Sequence, residues 1–437
     1  MSSIRRIVSR IKENPLSARM SQAISYGVGG AIGSRILILL SGIFVSRFLG
    51  SSDYGKYSLV HTTVLTFVSF SGLGIASTLT RYVVLYKEDR ERLGKVVRTL
   101  IAFCYAMSVI VSLFVVLFSG TISLWISGTK ELSIYFQFAA VSVLFSSLAS
   151  VQQSILIGFE KFKVNAFVQF ARCGLFLVLS IIFTRMFGLT GAIVAIISAD
   201  AFLYLLSIAI NHKIYVEHGI KLQFSLDKEI KTIVWKFTLP AFIASILYSP
   251  TLWLGNAMLT KYSGYEEMAV YSISHQWLTI LTYIPAQFGN MRPIYTDLFK
   301  NGQYNQLWRT VSRITLVSSA LILPLILGGV IFGQSILGLY GNDYASGYRT
   351  FALMLVAAAI INFQAQIGAV LQAIGKMWAG FVLNLVWSIV FLTGVYLLRN
   401  YGSYGYALAF SVSYLLHAVN SIVLIILSRT RGEKNDD

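Results

Sequence analysis

The stretch SRFLGSSDYGKYSLVH, residues 46–61, is repeated 214 residues later as TKYSGYEEMAVYSISH, residues 260–275. The two copies align without a gap and share a glycine, a tyrosine, a serine and a histidine at matching positions. A second match at the same offset pairs FGLTGAIVA, from Phe187, with YGSYGYALA, from Tyr401. Matches spread along the chain at one offset predict two equivalent halves. The boundary between them falls near residue 220.

The composition is that of a membrane protein. Of the 437 residues, 56% are hydrophobic and 12% are charged, against roughly 25% charged in soluble domains. Apolar runs of about 20 residues, enough to cross a hydrocarbon core about 30 Å thick, recur throughout the chain. Helices are predicted, because barrel strands would be about 10 residues long with alternating polarity. We count twelve spans, at residues 24–46, 57–84, 97–118, 132–157, 166–186, 190–210, 237–259, 268–291, 311–332, 350–372, 379–398 and 404–427.

The expected fold is an all-α integral membrane protein with six helices in each of two lobes. Six is an even number, so the second half enters the membrane in the same direction as the first and the repeats are parallel. The predicted organisation is a cytoplasmic basic amphipathic segment (1–22), an N-lobe (23–212), a cytoplasmic linker (213–236), a C-lobe (237–428) and a cytoplasmic tail (429–437).

The positions of the basic residues predict the topology. The formal net charge is +17, and 26 lysines and arginines fall on the side that holds both termini, against 7 on the other side. This bias predicts that both termini are cytoplasmic, and it explains the charge without a nucleic-acid partner. In the N-terminal segment, residues 4–11 place isoleucine and valine on one helical face, which suits a helix on an anionic leaflet. The alternative is a disordered basic tail that only enforces topology.

The loops and motifs argue against an enzyme. Every predicted outer loop is under about 20 residues, so the chain offers no sizeable catalytic domain outside the membrane. There is no Walker loop (GxxxxGK[ST]), which argues against an ATP-driven pump. Both cysteines, Cys104 and Cys173, lie inside predicted spans, so no disulfide framework or zinc site is expected. We therefore expect no catalytic residue, no metal and no cofactor.

Residues 44–83 carry a family resemblance. The first span ends in SRFLGSSDYGKYSL, the second contains FSGLGIASTLTRYV, and a basic cytoplasmic loop follows. This pattern resembles the Wzx-type polysaccharide flippases, the polysaccharide transporter branch of the MATE/MOP flippase superfamily. The resemblance implies a MATE-like, V-shaped pair of six-helix lobes. Lipid II flippases of that superfamily usually carry two further C-terminal spans, so ending at twelve favours the polysaccharide branch.

The resemblance also implies a function. A protein of this kind would move a polyprenyl-pyrophosphate-linked oligosaccharide unit from the cytoplasmic to the outer leaflet of the cytoplasmic (inner) membrane by alternating access, for surface polysaccharide biosynthesis. Membrane lipids would be further partners, and polysaccharide polymerase or assembly proteins are candidate ones. One alternative is a MATE-like exporter of small molecules or drugs. The other is a membrane polysaccharide polymerase or ligase, which the short outer loops disfavour.

Two charged residues lie deep within predicted spans. Arg35 is near the middle of the first span, about 17 Å from either end, so it should face a partner or a wet cavity. The pyrophosphate of the cargo is a candidate partner, and an ion pair with Asp200 is the structural alternative. Asp200 is the only acid deep within a span and is the candidate site for a coupling H+ or Na+. It could equally be a structural counter-ion.

A polar stripe on each lobe is the expected surface for sugars. In the fifth span Asn165, Gln169 and Arg172 recur at helical spacing, and the equivalent positions of the eleventh span include Asn384 and Trp387. Amides offer hydrogen bonds to sugar hydroxyls, and an indole offers an apolar plate. Arg172 lies only about 9 Å from the cytoplasmic boundary, so snorkelling of its side chain to water is an alternative.

Overall fold

The computed structural model describes residues 15–72, 74–239, 242, 247–287, 292–373 and 377–432. The greater part of the predicted N-terminal segment, residues 1–14, and the end of the C-terminal tail, 433–437, lie outside these residues. In the described ranges the chain is helical and contains no strand. The helices are α1 (Pro15–Gly72), α2 (Ile75–Leu85), α3 (Arg90–Ser127), α4 (Ser133–Gly158), α5 (Phe162–Glu217), α6 (Lys228–Ile233), α7 (Tyr248–Ser263), α8 (Tyr265–Gln287), α9 (Arg292–Lys300), α10 (Tyr304–Ile331), α11 (Gly333–Gly338), α12 (Tyr348–Ala373), α13 (Met377–Leu397) and α14 (Gly402–Gly432).

Short irregular helical turns join some of these elements. A π-helical turn at Val234–Thr238 follows α6, and 3₁₀ turns occupy Asn342–Gly347 and Arg399–Tyr401. Eight helices of the described chain are long and apolar enough to cross a membrane. Their outer faces carry large apolar side chains such as Leu117 and Ile331, which are more than two-thirds exposed and suit contact with lipid. The chain is thus a multi-pass membrane protein, as predicted.

Two of the helices are too long to be single spans. A straight helix of 58 residues, the length of α1, would extend about 87 Å, nearly three times the hydrocarbon thickness. Helix α1 is kinked at Gly50, and α5, with 56 residues, is kinked at Gly188. Each kink lies between two predicted spans and divides its helix into two pieces of spanning length. The count of twelve spans remains a prediction.

The repeat seen in the sequence is also present in the backbone. Gly50 has φ 73° and ψ 176°, and its repeat equivalent Gly264 has φ 92° and ψ 176°. Gly188 has φ 56° and ψ −136°, and its equivalent Gly402 has φ 59° and ψ −141°. Residues with a side chain rarely adopt these positive φ angles, which explains why glycine recurs at matching positions. The repeated motif is therefore a structural turn, used once in each half.

The helices form two compact units. The first comprises residues 1–45, 60–123 and 130–246, and the second comprises 46–59, 124–129 and 247–437. The lobe and linker boundaries drawn from the sequence remain a prediction. The core of the first unit is built around α2, α3 and α4 and includes Leu79, Leu93 and Ile155, none of them exposed. The core of the second is built around α9, α10 and α12 and includes Tyr295 and Val370.

The turn at residues 46–59 packs within the second unit. Ser46 Oγ donates a hydrogen bond to the carbonyl oxygen of Tyr340 at 3.1 Å, and Arg47 Nε donates to that of Leu339 at 2.6 Å. The ring of Tyr54, 4% exposed, meets the ring of Tyr344 edge-on at 6.3 Å. Hydrogen bonds and buried tyrosines therefore fix this early segment to residues that are encoded almost 300 positions later.

Candidate functional site

The first unit holds a buried ion pair. Arg172 donates to Asp200 Oδ1 twice, from Nη2 at 2.6 Å and from Nε at 3.2 Å. The Asp200 side chain is 5% exposed and that of Arg172 is 20% exposed. Charge-assisted hydrogen bonds of this length are among the strong ones in proteins. The guanidinium of Arg172 is thus directed at a carboxylate and not at the aqueous boundary, which replaces the snorkelling interpretation.

Two serines complete the surroundings of the carboxylate. Ser142 Oγ and Ser146 Oγ donate to Asp200 Oδ2 at 2.7 and 2.5 Å. They are four residues apart on α4 and therefore lie on the same helical face. Asp200 accepts four hydrogen bonds in all, from one cation and two hydroxyls. The sequence analysis considers Arg35 as the ion-pair partner of Asp200. In the structure the carboxylate of Asp200 pairs with Arg172.

The kink in α5 brings the ion pair together. Arg172 precedes Gly188 on the helix and Asp200 follows it, so the two side chains belong to adjacent arms of one folded helix. A β-carbon at Gly191 would stand 1.9 Å from the carbonyl oxygen of Phe183, so the arms approach too closely for any side chain there. The glycines of the repeated motif therefore allow the two arms to lie close enough for Arg172 to contact Asp200.

Amide side chains lie nearer the start of α5. Gln169 Nε2 donates to Gln153 Oε1 at 2.8 Å, which joins α5 to α4. Asn165 Oδ1 and Gln153 Nε2 are buried and have no hydrogen-bond partner among the residues that the structure describes. Buried polar atoms usually have partners, so these two atoms are exceptions within the cluster. Asn165 and Gln169 thus lie on one helix with Arg172, as the predicted stripe requires.

Arg35 lies on α1 and is half-buried. Two residues earlier, a β-carbon at Gly33 would stand 3.1 Å from the ring of Phe170 on α5. The glycine therefore lets α1 approach the helix that carries Arg172. The role of Arg35 itself remains a prediction.

An aromatic stack surrounds Trp387 in the second unit. The indole lies parallel to the ring of Tyr248 (5.6 Å, 18°) and to that of Phe391 (5.6 Å, 6°), and Tyr414 meets it edge-on at 5.2 Å. Trp387 is 4% exposed, whereas Tyr248 is 46% exposed and forms the accessible face of the stack. Trp387 Nε1 is buried without a hydrogen-bond partner in the described ranges. The stack combines an open ring face with an unused donor beneath it.

Asn384 belongs to a hydrogen-bonded chain one turn away. Gln364 Nε2 lies 2.5 Å from His417 Nδ1, and His417 Nε2 lies 3.2 Å from Asn384 Oδ1. An amide nitrogen can only donate, so His417 Nδ1 accepts. His417 Nε2 then carries the hydrogen and donates it in a hydrogen bond to Asn384 Oδ1. The three residues come from α12, α14 and α13, so the chain ties three helices together beside the aromatic stack.

Sequence reasoning found only part of this second site. It identified Asn384 and Trp387 but missed Tyr248, Tyr414 and His417. His417 could have been noted as a titratable residue within an apolar span, which is a recognised signal. The two tyrosines carried no such signal, because their sequence positions do not show which side of a helix faces Trp387.

The two units therefore differ at repeat-equivalent positions. At an offset of 215, one residue more than in the repeated turns, Asn165 and Gln169 of the first unit correspond to Gly380 and Asn384 of the second, and Arg172 corresponds to Trp387. The first unit places an ion pair at this position, and the second places an aromatic stack. One half is thus built for charge and the other for an apolar ring face with amides beside it.

The chain is similar to known proteins over most of its length. It is 25% identical, over 92% of each chain, to the EPS I polysaccharide export inner membrane protein EpsE of Ralstonia nicotianae. It shares 15% identity and a TM-score of 0.78 with a multidrug resistance MATE family transporter of the MOP superfamily solved in an inward-facing conformation, covering 92% of this chain and 96% of that one. It shares 14% identity and a TM-score of 0.74 with the lipid II flippase MurJ in an inward closed conformation, covering 92% and 87%.

These similarities decide the fold and the family. At such low identity the solved structures show the fold alone, and they confirm the predicted all-helical, MATE-like architecture. The profile of the family described as polysaccharide biosynthesis protein matches residues 21–290, more than half of the 437 residues. The chain therefore belongs to the polysaccharide biosynthesis protein family.

Proposed function

We propose that the protein is a flippase that moves a polyprenyl-pyrophosphate-linked oligosaccharide from the cytoplasmic to the outer leaflet of the inner membrane. The similarity to a polysaccharide export inner membrane protein and the MATE-like fold support transport of a saccharide rather than an enzymatic reaction. The aromatic stack of Tyr248 and Trp387 with its neighbouring amides carries the proposal. The proposed mechanism is alternating access, in which the cargo site opens first to one side of the membrane and then to the other.

Sugar recognition is assigned to the second unit. The exposed ring of Tyr248 offers an apolar plate for the C–H face of a sugar, and Trp387 holds that ring by parallel stacking at 5.6 Å. Aromatic contacts of this kind contribute about 0.5–1.5 kcal/mol beyond the area they bury. Asn384, beside this stack, would hydrogen-bond sugar hydroxyls.

The anionic end of the cargo is assigned to arginine. A guanidinium matches a pyrophosphate with two parallel hydrogen bonds, and Arg35 is the candidate to supply it. Arg172 could contribute when its pair with Asp200 opens. Protonation of Asp200, or Na+ bound to its carboxylate, would weaken the pair and release the guanidinium. This exchange is our proposed coupling of H+ or Na+ to transport.

The ion pair also bears on the alternative of a MATE-like drug exporter. A site for cationic drugs needs an acid that is available to the drug. The carboxylate of Asp200 accepts four hydrogen bonds, two of them from a cation, so its charge is already compensated. In this arrangement Asp200 is not an available acid for a cationic drug.

Substitution of Tyr248 tests the proposed function. Tyr248→Leu removes the open ring face at little cost to folding, and the matched control is Tyr262→Leu on the same helix, since both tyrosines are 46% exposed. The variants are expressed in the native host after deletion of this gene, and surface polysaccharide and membrane protein level are measured. A loss of about 0.5–1.5 kcal/mol of cargo binding predicts a two- to twelvefold lower rate of polysaccharide export for Tyr248→Leu alone. Equal export by the two variants at equal abundance would refute the assignment.

A further inference from the structure

We propose that the segment between the two halves, residues 219–236, lies on the inner leaflet and binds anionic phospholipid. This surface is separate from the site proposed for the cargo. Three of its isoleucines are packed in the core of the first unit, and its exposed side chains include large apolar residues and lysines. The surface chemistry is that of a membrane interface and not of an aqueous loop.

The inner face fixes the segment to the protein. Ile220, Ile230 and Ile233 are 7%, 2% and 3% exposed and belong to the core of the first unit. Thr99 Oγ1 donates to the carbonyl oxygen of Ser225 and accepts from its backbone nitrogen, both at 3.0 Å. The segment is therefore held in one place by buried side chains at both ends and by backbone hydrogen bonds in the middle.

The position of Thr99 sets the depth of the segment. Thr99 is the third residue of the predicted third span, which begins at residue 97 and ends at 118. A residue that bonds to its side chain lies at the level where the hydrocarbon gives way to headgroups. With the predicted start of this span at residue 97, Ser225 lies at the membrane boundary and the side chains on either side of it lie at headgroup level.

The outer face is apolar where lipid would meet it. Leu222, Phe224 and Leu226 are 37%, 58% and 50% exposed, and Trp235 in the following π-helical turn is 70% exposed. The three residues alternate along the chain with Gln223 and Ser225. Four large apolar side chains exposed on one segment favour an apolar environment around them. Tryptophan in particular is enriched at membrane interfaces.

The charge of the same segment matches an anionic leaflet. Lys221, Lys228, Lys231 and Lys236 are all exposed, and no ion pair involves them among the described residues. The two acids of the segment are occupied within the protein. Asp227 accepts from the backbone nitrogen of Ile230 and from Ser225 Oγ, both at 2.9 Å, and Glu229 accepts from Tyr86 Oη at 2.6 Å. The lysines therefore remain free to meet phosphate groups of lipid.

The acid contacts hold in the physiological pH range. The hydrogen bonds from Ile230 and Ser225 lower the pKa of the Asp227 carboxyl, so it stays ionised and caps α6. The hydrogen bond to Glu229 raises the pKa of Tyr86 to about 12, so that phenol stays protonated and continues to donate. The cap of α6 and the hydrogen bond from Tyr86 therefore persist as the pH varies around 7.

A label on the apolar face tests the proposal. The full chain, with Cys104→Ser and Cys173→Ser and a single cysteine at Phe224, carries a spin label and is placed in nanodiscs. Accessibility of the label to oxygen and to a water-soluble nickel complex is compared in phosphatidylcholine alone and with 30% phosphatidylglycerol. We expect the nickel accessibility at residue 224 to fall at least threefold when the anionic lipid is present. A label at Gln223, exposed and adjacent, is the matched control and should remain accessible.

Substitution of the lysines is the second test of the proposal. Changing Lys221, Lys228, Lys231 and Lys236 to glutamine should abolish the difference between the two lipid compositions while the protein remains folded, as checked by its unfolding temperature. A label at residue 224 that is equally accessible to nickel in both lipids would overturn the proposal. Protection that appears only after cytosolic proteins are added would also overturn it, because a protein partner would then cover this face.

Discussion

The geometry of the ion pair between Arg172 and Asp200 predicts how much the pair stabilises the folded protein. Asp200→Asn preserves the shape of the side chain but removes its charge. The guanidinium of Arg172, 20% exposed, would be left without a counter-ion in the membrane interior. Removing one partner of a buried pair costs about 3–5 kcal/mol. The amide oxygen of asparagine can still accept one hydrogen bond from Arg172. We therefore expect the free energy of unfolding to fall by about 3 kcal/mol, or about a hundredfold in the unfolding equilibrium.

The control is the same substitution at a partly exposed pair. Asp53, whose side chain is 46% exposed, contacts Lys56, which is 15% exposed, at 3.2 Å. Because water reaches the carboxylate of this pair, its loss should cost about 0–1 kcal/mol. The assay is equilibrium unfolding of the purified protein in detergent, followed by tryptophan fluorescence. The double variant Arg172→Gln with Asp200→Asn removes both charges, and it should recover at least about 2 kcal/mol of the loss. If Asp200→Asn destabilises no more than Asp53→Asn, the pair does not carry the buried charge and the reasoning fails.

Three further predictions follow from the turns, the first helix and the charge bias. Gly402→Ala forces a positive φ on alanine and puts its β-carbon 2.7 Å from the carboxyl of a neighbouring glutamate, so the free energy of unfolding should fall by about 1–3 kcal/mol in the same detergent unfolding assay. The control is Gly174→Ala, where the added β-carbon has no neighbour within 4 Å, and it should be neutral or stabilising by up to about 1 kcal/mol. Arg35→Gln should abolish surface polysaccharide at normal protein abundance and Arg35→Lys should retain part of it, and normal polysaccharide in the glutamine variant would remove Arg35 from the cargo site. In a chain without native cysteines, Ser52→Cys and Glu266→Cys should label with an impermeant thiol reagent in intact cells, and labelling only after permeabilisation would reverse the topology.

The sequence was sufficient for the fold because its main determinants are local. Runs of apolar residues predict spans wherever they occur, and glycine at Gly50, Gly188 and their repeat equivalents marks the places where the backbone must leave the helix. These signals need no knowledge of which faces meet. The all-helical architecture and the internal repeat could therefore be predicted before any packing was known.

The contacts of the site could not be predicted in the same way. Arg172 and Asp200 lie on either side of Gly188, and a non-helical residue resets the angular phase of the helix that follows. Helical periodicity therefore cannot show that the two side chains face each other. Ser142 and Tyr248 come from other helices, and their directions depend on tertiary packing alone. The sequence therefore singles out candidate residues, and their partners needed the structure.

The turn at residues 46–59 has a consequence for biosynthesis. The ring of Tyr54 packs against that of Tyr344, which is synthesised 290 residues later. At about 5–20 residues per second, translation needs about 15–60 s to reach the second tyrosine. During that interval the turn has left the ribosome but lacks the neighbours that bury its aromatic side chains. A nascent chain arrested before residue 330 should thus expose this turn to protease, and release of the arrest should restore its protection.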